Sequence, residues 1–158
     1  MSPQSAPVAN PPTSLAQADQ IPWGLVWEGI ELKILRVGEG SGTYTLMTRL
    51  QPGVVLPKHR HFGDVHGFTI AGRWGYQEYD WEASAGDYVY EPPNSTHTLE
   101  VPDDETEPAV ILFVIDKGMV ILGDDDEILT IEDAWSIAEI YRNALSNQGI
   151  EPPVGIMP

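Results

Sequence analysis

Two stretches decide how this chain folds: Gly53-Val54-Val55-Leu56-Pro57-Lys58-His59-Arg60-His61 and Gly86-Asp87-Tyr88-Val89-Tyr90-Glu91-Pro92-Pro93-Asn94-Ser95-Thr96-His97. Each starts at a glycine, runs through β-branched or aromatic residues and ends on histidine. In a β-strand, residues i and i+2 face the same side, so His59 and His61 present both imidazoles to one face. His97 follows a Pro-Pro-Asn turn and is placed to complete a three-imidazole set. These are three of only four histidines in the chain, the fourth being His66. Imidazole suits iron, zinc, nickel and copper, and a three-ligand face leaves positions open for substrate and oxygen.

Outward from these stretches, Ile21 to about Ile121 is a series of short strand-like runs. Leu25–Trp27, Ile30–Arg36, Tyr44–Leu50, Val65–Ile70, Gly75–Trp81, Asp87–Glu91, His97–Val101 and Val110–Lys117 carry the β-formers. Turn chemistry separates them at Gln51-Pro52-Gly53, Ala71-Gly72-Arg73 and Ala85-Gly86-Asp87. Many short strands without intervening helices predict an all-β sandwich or barrel. Met1 to Gln20, rich in Ser, Pro, Ala and Gln, reads as a flexible arm. Near the other end, Ile131, Ala134, Trp135, Ala138 and Tyr141 recur at helical spacing, which predicts a helix over Ile131–Leu145 with Thr130 as cap and Asp133 in the capping box. The expected organisation is an arm (1–20), a barrel (21–122) and a C-terminal helix and tail (123–158).

Composition narrows the function. The apolar share of 42% suits a globular domain, and 158 residues suffice for one core. No stretch approaches the ~20 apolar residues of a membrane helix. No secretory signal is read at the start, so a cytoplasmic location is expected. The absence of cysteine removes disulfides, thiolate ligands and cysteine nucleophiles. A net charge of −16 disfavours nucleic acid and anionic membranes as partners.

The two stretches resemble the paired motifs of the cupin superfamily in order, residue type and spacing, with Gly72 closing the first. The resemblance implies a jelly-roll β-barrel with a metal held inside by His59, His61 and His97. In the usual first motif a glutamate seven residues before the closing glycine is the fourth ligand; here that position is Val65. On a regular strand Val65 points inward and His66 away, whereas a bulge would bring His66 inward as a fourth ligand. The regular strand is the expectation. Asn94 replaces the usual turn glycine, a change Asn tolerates.

More narrowly, Val65 to Trp81 and Gly86 to Pro93 resemble the 2,4'-dihydroxyacetophenone dioxygenase family, and the chain is also similar to acetylacetone dioxygenase. This implies an Fe(II)-dependent oxidoreductase, a dioxygenase that cleaves a C–C bond of a small hydroxy-ketone or diketone with O2, with zinc or nickel possible in the protein as purified. Acetylacetone dioxygenase has a glutamate six residues before its last metal histidine, the place of Glu91. Glu91 is thus a candidate catalytic base or partner of a ligand histidine; a solvated strand-end residue is the other reading. Trp74, Tyr76, Tyr79, Trp81, Tyr88 and Tyr90 are expected to serve mostly as packing. Lys58 and Arg60, of opposite parity to His59, are expected at the surface. A homodimer or homotetramer is expected from an exposed barrel edge and the Pro-rich arm. The competing class is a non-enzymatic metal-binding cupin sensor of the anti-sigma-factor type; a sugar-phosphate or keto-acid isomerase suits the scarcity of basic residues poorly.

Overall fold

The computed structural model describes residues 13–38 and 40–153. Its elements are β1 (Gly24–Trp27), β2 (Ile30–Val37), β3 (Tyr44–Leu50), β4 (His59–His61), β5 (Val65–Ala71), β6 (Arg73–Tyr76), β7 (Glu82–Ser84), β8 (Tyr88–Glu91), β9 (Thr96–His97), β10 (Leu99–Glu100), β11 (Ala109–Ile115), β12 (Met119–Leu122), β13 (Ile128–Glu132) and α1 (Ala134–Asn147). A six-stranded sheet in the order β1-β2-β3-β11-β5-β8 faces a four-stranded sheet in the order β13-β12-β4-β9, and β10-β6-β7 form a smaller third sheet. Among the described residues the architecture is mostly β with one C-terminal α-helix, a jelly roll as expected. Most of the expected arm, residues 1–12, lies outside the described residues; Ala18–Gln20 forms a single 3-10 turn, whose Ala18 carbonyl accepts from Lys33 Nζ at 2.7 Å.

Strict alternation builds the core. On β3, Tyr44, Leu46, Thr48 and Leu50 point inward; on β11, Ala109, Ile111, Phe113 and Ile115 do the same. These two strands pair residue for residue, so the buried rows line up across the sheet. Two glycines are dictated by close approach. A Cβ on Gly67 would sit 2.9 Å from the Phe113 ring, and one on Gly72, at φ +73°, would sit 2.6 Å from the Pro108 carbonyl. Trp74 is fully buried and donates its indole N–H to Thr69 Oγ1 at 2.8 Å. Trp74 and Tyr76 are core, while Tyr79 and Trp81 stack on one another in the turn beyond β6, half exposed. Strand character in the expected Gly75–Trp81 run therefore stops at Tyr76. Arg49 lies over the Trp23 ring and forms a bidentate pair with Glu31 at 2.6 and 2.7 Å.

The C-terminal segment corrects the expected helix start. Ile128–Glu132 is a strand that pairs with β12, and the helix begins only at Ala134. Asp133 is the N-cap itself, accepting from Trp135 N and Ser136 N, and the Ser136 hydroxyl accepts from Asp133 N in return. Two periodicities overlap here. Ile131 falls in helical register with Ala134 and Trp135, yet Asp133 offers the backbone a stop at which strand ends and helix begins. The helix buries Ile137, Tyr141, Ala144 and Leu145, and Tyr141 donates to the Pro22 carbonyl at 2.6 Å, fastening α1 beside β1. Replacing the cap, Asp133→Ala, should lower unfolding free energy by about 1 kcal/mol, read from a urea midpoint at constant slope. An unmoved midpoint would show that the cap carries no stability.

Candidate metal centre

Short strands hold the histidines. His59 and His61 are the two inward positions of β4, and His97 ends β9, directly across the ladder from His59. The turn between β8 and β9 is tied to the same backbone. Asn94, at φ +65°, donates its N–H to the His61 carbonyl at 2.8 Å, and His61 N donates to the Ser95 carbonyl at 3.1 Å. That pair of hydrogen bonds fixes Glu91 and His97, which flank the turn, relative to His61. The three rings converge, with centroids 4.8–5.3 Å apart and one ring nitrogen from each within 4.8 Å of the others. All three residues are buried.

The donor set suits a metal ion. His59 Nδ1 lies 2.8 Å from the Pro57 carbonyl, which assigns its hydrogen to that nitrogen and leaves Nε2 with a lone pair. Burial, and the neighbouring His61, hold the His59 ring down to about 4, so it is a neutral imidazole near pH 7. His61 Nδ1 and His97 Nε2 are buried without a hydrogen-bond partner. Orphaned ring nitrogens in an apolar interior are costly, and a cation shared among them would satisfy them.

Glu91 is no solvated strand end. It is 4% exposed, with Oε2 2.9 Å from His61 Nε2 and Oε1 3.4 Å from His97 Nε2. Tyr76 donates its hydroxyl to Oε1, while Oε2 lacks an aligned donor. Burial pushes the Glu91 carboxyl up, but the adjacent His61 and His97 rings outweigh it and hold the group well below the usual carboxylate range. Burial and the Glu91 charge push Tyr76 up, so its proton stays on the phenol. Glu91 is therefore an anion, with Oε1 bonded to the Tyr76 hydroxyl and Oε2 set against His61 Nε2.

Parity resolves the remaining candidates. Val65 is fully buried in the cavity wall, whereas His66 faces outward and lies 2.6 Å from the Tyr88 hydroxyl through Nδ1. β5 is regular from Val65 to Thr69, its irregularity falling at Ile70, and His66 is not brought to the other histidines. Lys58 reaches out to Asp126.

Beside the histidines lies a cavity of about 310 Å³, walled by His59, His61 and Glu91 at one end and by apolar side chains such as Leu46, Phe113, Met119 and Ile121. Trp27, Ile131, Ser136 and Ile140 also contribute to its lining. One polar member was not legible from motif spacing: Glu132, the last residue of β13. The reading of its segment as helix hid it; the signal that finds it is the alternation Ile128, Thr130, Glu132.

Residues 12–118 match the family described as the ChrR cupin-like domain. The chain belongs to this cupin family. Among solved structures it is similar to an RmlC-like cupin from Ralstonia eutropha JMP134 (25% identity, TM-score 0.82, covering 90% of this chain and 93% of that one). A second protein from that organism, of unknown function with a cupin-like fold, is 27% identical at TM-score 0.80, covering 91% and 94%. A putative acetylacetone dioxygenase from Methylibium petroleiphilum PM1 shares 19% identity at TM-score 0.77, covering 84% and 96%, a likeness of fold. No curated protein matches the chain.

The Glu132 carboxyl gives this cavity a pH signature. Burial, and then the charge of Asp133, raise it from 4.5 to about 7. The folded state then keeps a proton that the unfolded chain has already lost. This contribution to stability is full below pH 4.5 and disappears as pH rises through 7. Glu132→Gln, which cannot ionise, should gain on the wild type by about 2 kcal/mol in unfolding free energy between pH 5 and pH 8. Parallel pH dependences for the two proteins would place the Glu132 carboxyl in ordinary solvent.

Proposed function

We propose that this protein is a non-haem Fe(II) dioxygenase that uses O2 to cleave a C–C bond of a small hydroxy-ketone or diketone, of the kind handled by the 2,4'-dihydroxyacetophenone dioxygenase family. The observation that carries this reading is the convergence of the buried His59, His61 and His97 rings beside a small, mostly apolar cavity that His59, His61 and Glu91 help to line. At about 310 Å³ the cavity is at the small end of ligand pockets, room for one ring and its substituents and too little for a nucleotide sugar.

The chemistry follows from the donor set. His59, His61 and His97 would hold the metal, which would supply Lewis acidity toward the substrate and the one-electron chemistry that O2 needs to react with a closed-shell organic molecule. Uncharged imidazoles leave the dication largely uncompensated, which favours an anionic chelate such as an enolate. Glu91 supplies the base. Tyr76 donates to its Oε1, so Oε2, which lies 2.9 Å from His61 Nε2, is the atom to take the proton released as the substrate enolises. The apolar wall excludes bulk water from the electron-rich carbon. Cleavage of a 2-hydroxyketone between carbonyl and hydroxymethyl carbons, with both atoms of O2 incorporated, yields one carboxylic acid and formic acid. The balance closes without another reductant.

Half-exposed Leu25 and Trp27 on β1, and Ile128, Leu129 and Ile131 on β13, lie on strands at the ends of their sheets, which supports assembly with further copies of the chain. The family match to the ChrR cupin-like domain favours a second reading, a metal-binding sensor without turnover.

Elemental analysis combined with oxygen uptake on 2-hydroxyacetophenones separates the two. The expected result is about one iron per chain and substrate-dependent O2 consumption. His97→Ala should weaken metal binding by more than the ~100-fold that loss of a supporting hydrogen bond produces, with the far-ultraviolet spectrum unchanged. Metal retained by His97→Ala would sink the three-histidine centre. Stoichiometric metal without oxygen consumption would leave the sensor.

A further inference from the structure

Three sheets meet at the Glu91 carboxylate. Glu91 ends β8 on the six-stranded sheet, and His59, His61 and His97 belong to the four-stranded one. The small sheet β10-β6-β7 adds Tyr76, whose hydroxyl donates to Glu91 Oε1. Pairing with Leu99 places Tyr76 beside the strand that follows His97, and the two rings lie 4.4 Å apart at 39°. Trp74 packs edge-on against the Tyr76 ring at 5.3 Å, with Tyr79 and Trp81 at 5.8 and 5.6 Å. These neighbours hold a ring that is 3% exposed, so its hydroxyl is aimed at Glu91 by packing rather than by choice of rotamer.

Distance gives that contact its meaning. Two donor atoms bound to one ion at about 2.1 Å each lie roughly 3.0–3.4 Å apart. Glu91 Oε2 is 2.9 Å from His61 Nε2, and Oε1 is 3.4 Å from His97 Nε2. The carboxylate thus stands at ligand spacing from two of the three converging rings, and His97 Nε2 is a buried nitrogen without a hydrogen-bond partner. At 4% exposure Glu91 is also shut off from bulk water. A carboxylate so placed is attracted to any dication among the rings. Tyr76 opposes that attraction, because its hydrogen bond to a charged acceptor competes with coordination for Oε1.

We infer that Tyr76 is a positioning residue that holds Glu91 out of the metal's ligand set, so that three histidines alone bind the ion and its other positions stay open. The inference rests on the proposed role of His59, His61 and His97 as metal ligands. A carboxylate coordinated to the ion is a poor base, and a filled position is closed to a chelating substrate. Glu91 therefore serves as base only while it is kept off the metal. A phenyl ring would fill the same space against Trp74 and His97, so packing alone does not call for the hydroxyl.

Zinc affinity of the full chain, measured by competition with a chromophoric chelator, reads the ligand set without turnover. Tyr76→Phe should bind zinc roughly 10-fold to 100-fold more tightly than the wild type, the range set by losing a competing hydrogen bond to a charged group. A merely structural tyrosine would move affinity the other way, since loosening the cluster weakens binding. The gain should vanish when Tyr76→Phe is combined with Glu91→Gln, because an amide oxygen is a poor zinc ligand. Alone, Glu91→Gln should cost no more than the ~100-fold of a supporting group, and less than His97→Ala. That comparison carries the test if thermal melts show that Tyr76→Phe does not fold. Three results overturn the inference and leave the histidine centre standing: unchanged or weaker zinc binding by folded Tyr76→Phe, a gain that survives Glu91→Gln, or a Glu91→Gln loss as large as that of His97→Ala. A wild type that binds no zinc overturns both.

Discussion

Placing three imidazoles and a carboxylate inside an apolar barrel is the constraint on which the structure turns. His61 Nδ1, His97 Nε2 and Glu91 Oε2 are all buried without hydrogen-bond partners and sit within one small cluster. Each orphaned group of this kind costs about 1–3 kcal/mol, against a total domain stability of roughly 5–15 kcal/mol. Such a cluster persists only where the surroundings over-determine it. Here the matched rows of β3 and β11, the buried Trp74 and the docked helix supply the offset. A cation held by the three rings would satisfy several of these groups at once.

The strands that hold the histidines are too short to be positioned by their own ladder. β4 has three residues and β9 has two. Their geometry comes instead from β12 on one side and from the Pro92–Ser95 turn on the other, through the hydrogen bonds that Asn94 and Ser95 exchange with the His61 backbone. The left-handed conformation of Asn94 makes that exchange possible. A turn residue that touches no ligand thus sets the spacing between Glu91 and the two histidines beside it.

Much of this was legible in the linear sequence because strand parity is a two-residue rule. His59 and His61 must share a face, and Val65 and His66 must not; both follow from alternation and hold in the fold. The aromatic residues around β6 were harder, because Tyr79 and Trp81 keep alternating after the strand has ended in a turn. Glu132 was hidden for a different reason. The helical spacing of Ile131, Ala134, Trp135 and Ala138 runs back into β13 by coincidence, and periodicity alone cannot say which of two overlapping patterns wins. Asp133 decides it, since its side chain caps the following N–H groups and leaves the preceding residues extended.

Charge gives the last step. With Val65 in place of an inward carboxylate, the three-histidine face contributes no negative charge, and Glu91 stands beside it as the single anion, held ionised by its neighbours. A dication there keeps about one net positive charge in a cavity of low polarity, where an unbalanced charge is strongly disfavoured. A monoanionic chelate would restore neutrality; a neutral ligand would not, and a dianion would overshoot. Glu132, two strands away on β13, has its carboxyl pushed up to about 7 by burial and by Asp133, so near neutral pH it carries only part of a charge. The two carboxyl groups of the cavity are thus shifted in opposite directions because their neighbours differ: histidine rings hold Glu91 down, and burial with Asp133 pushes Glu132 up.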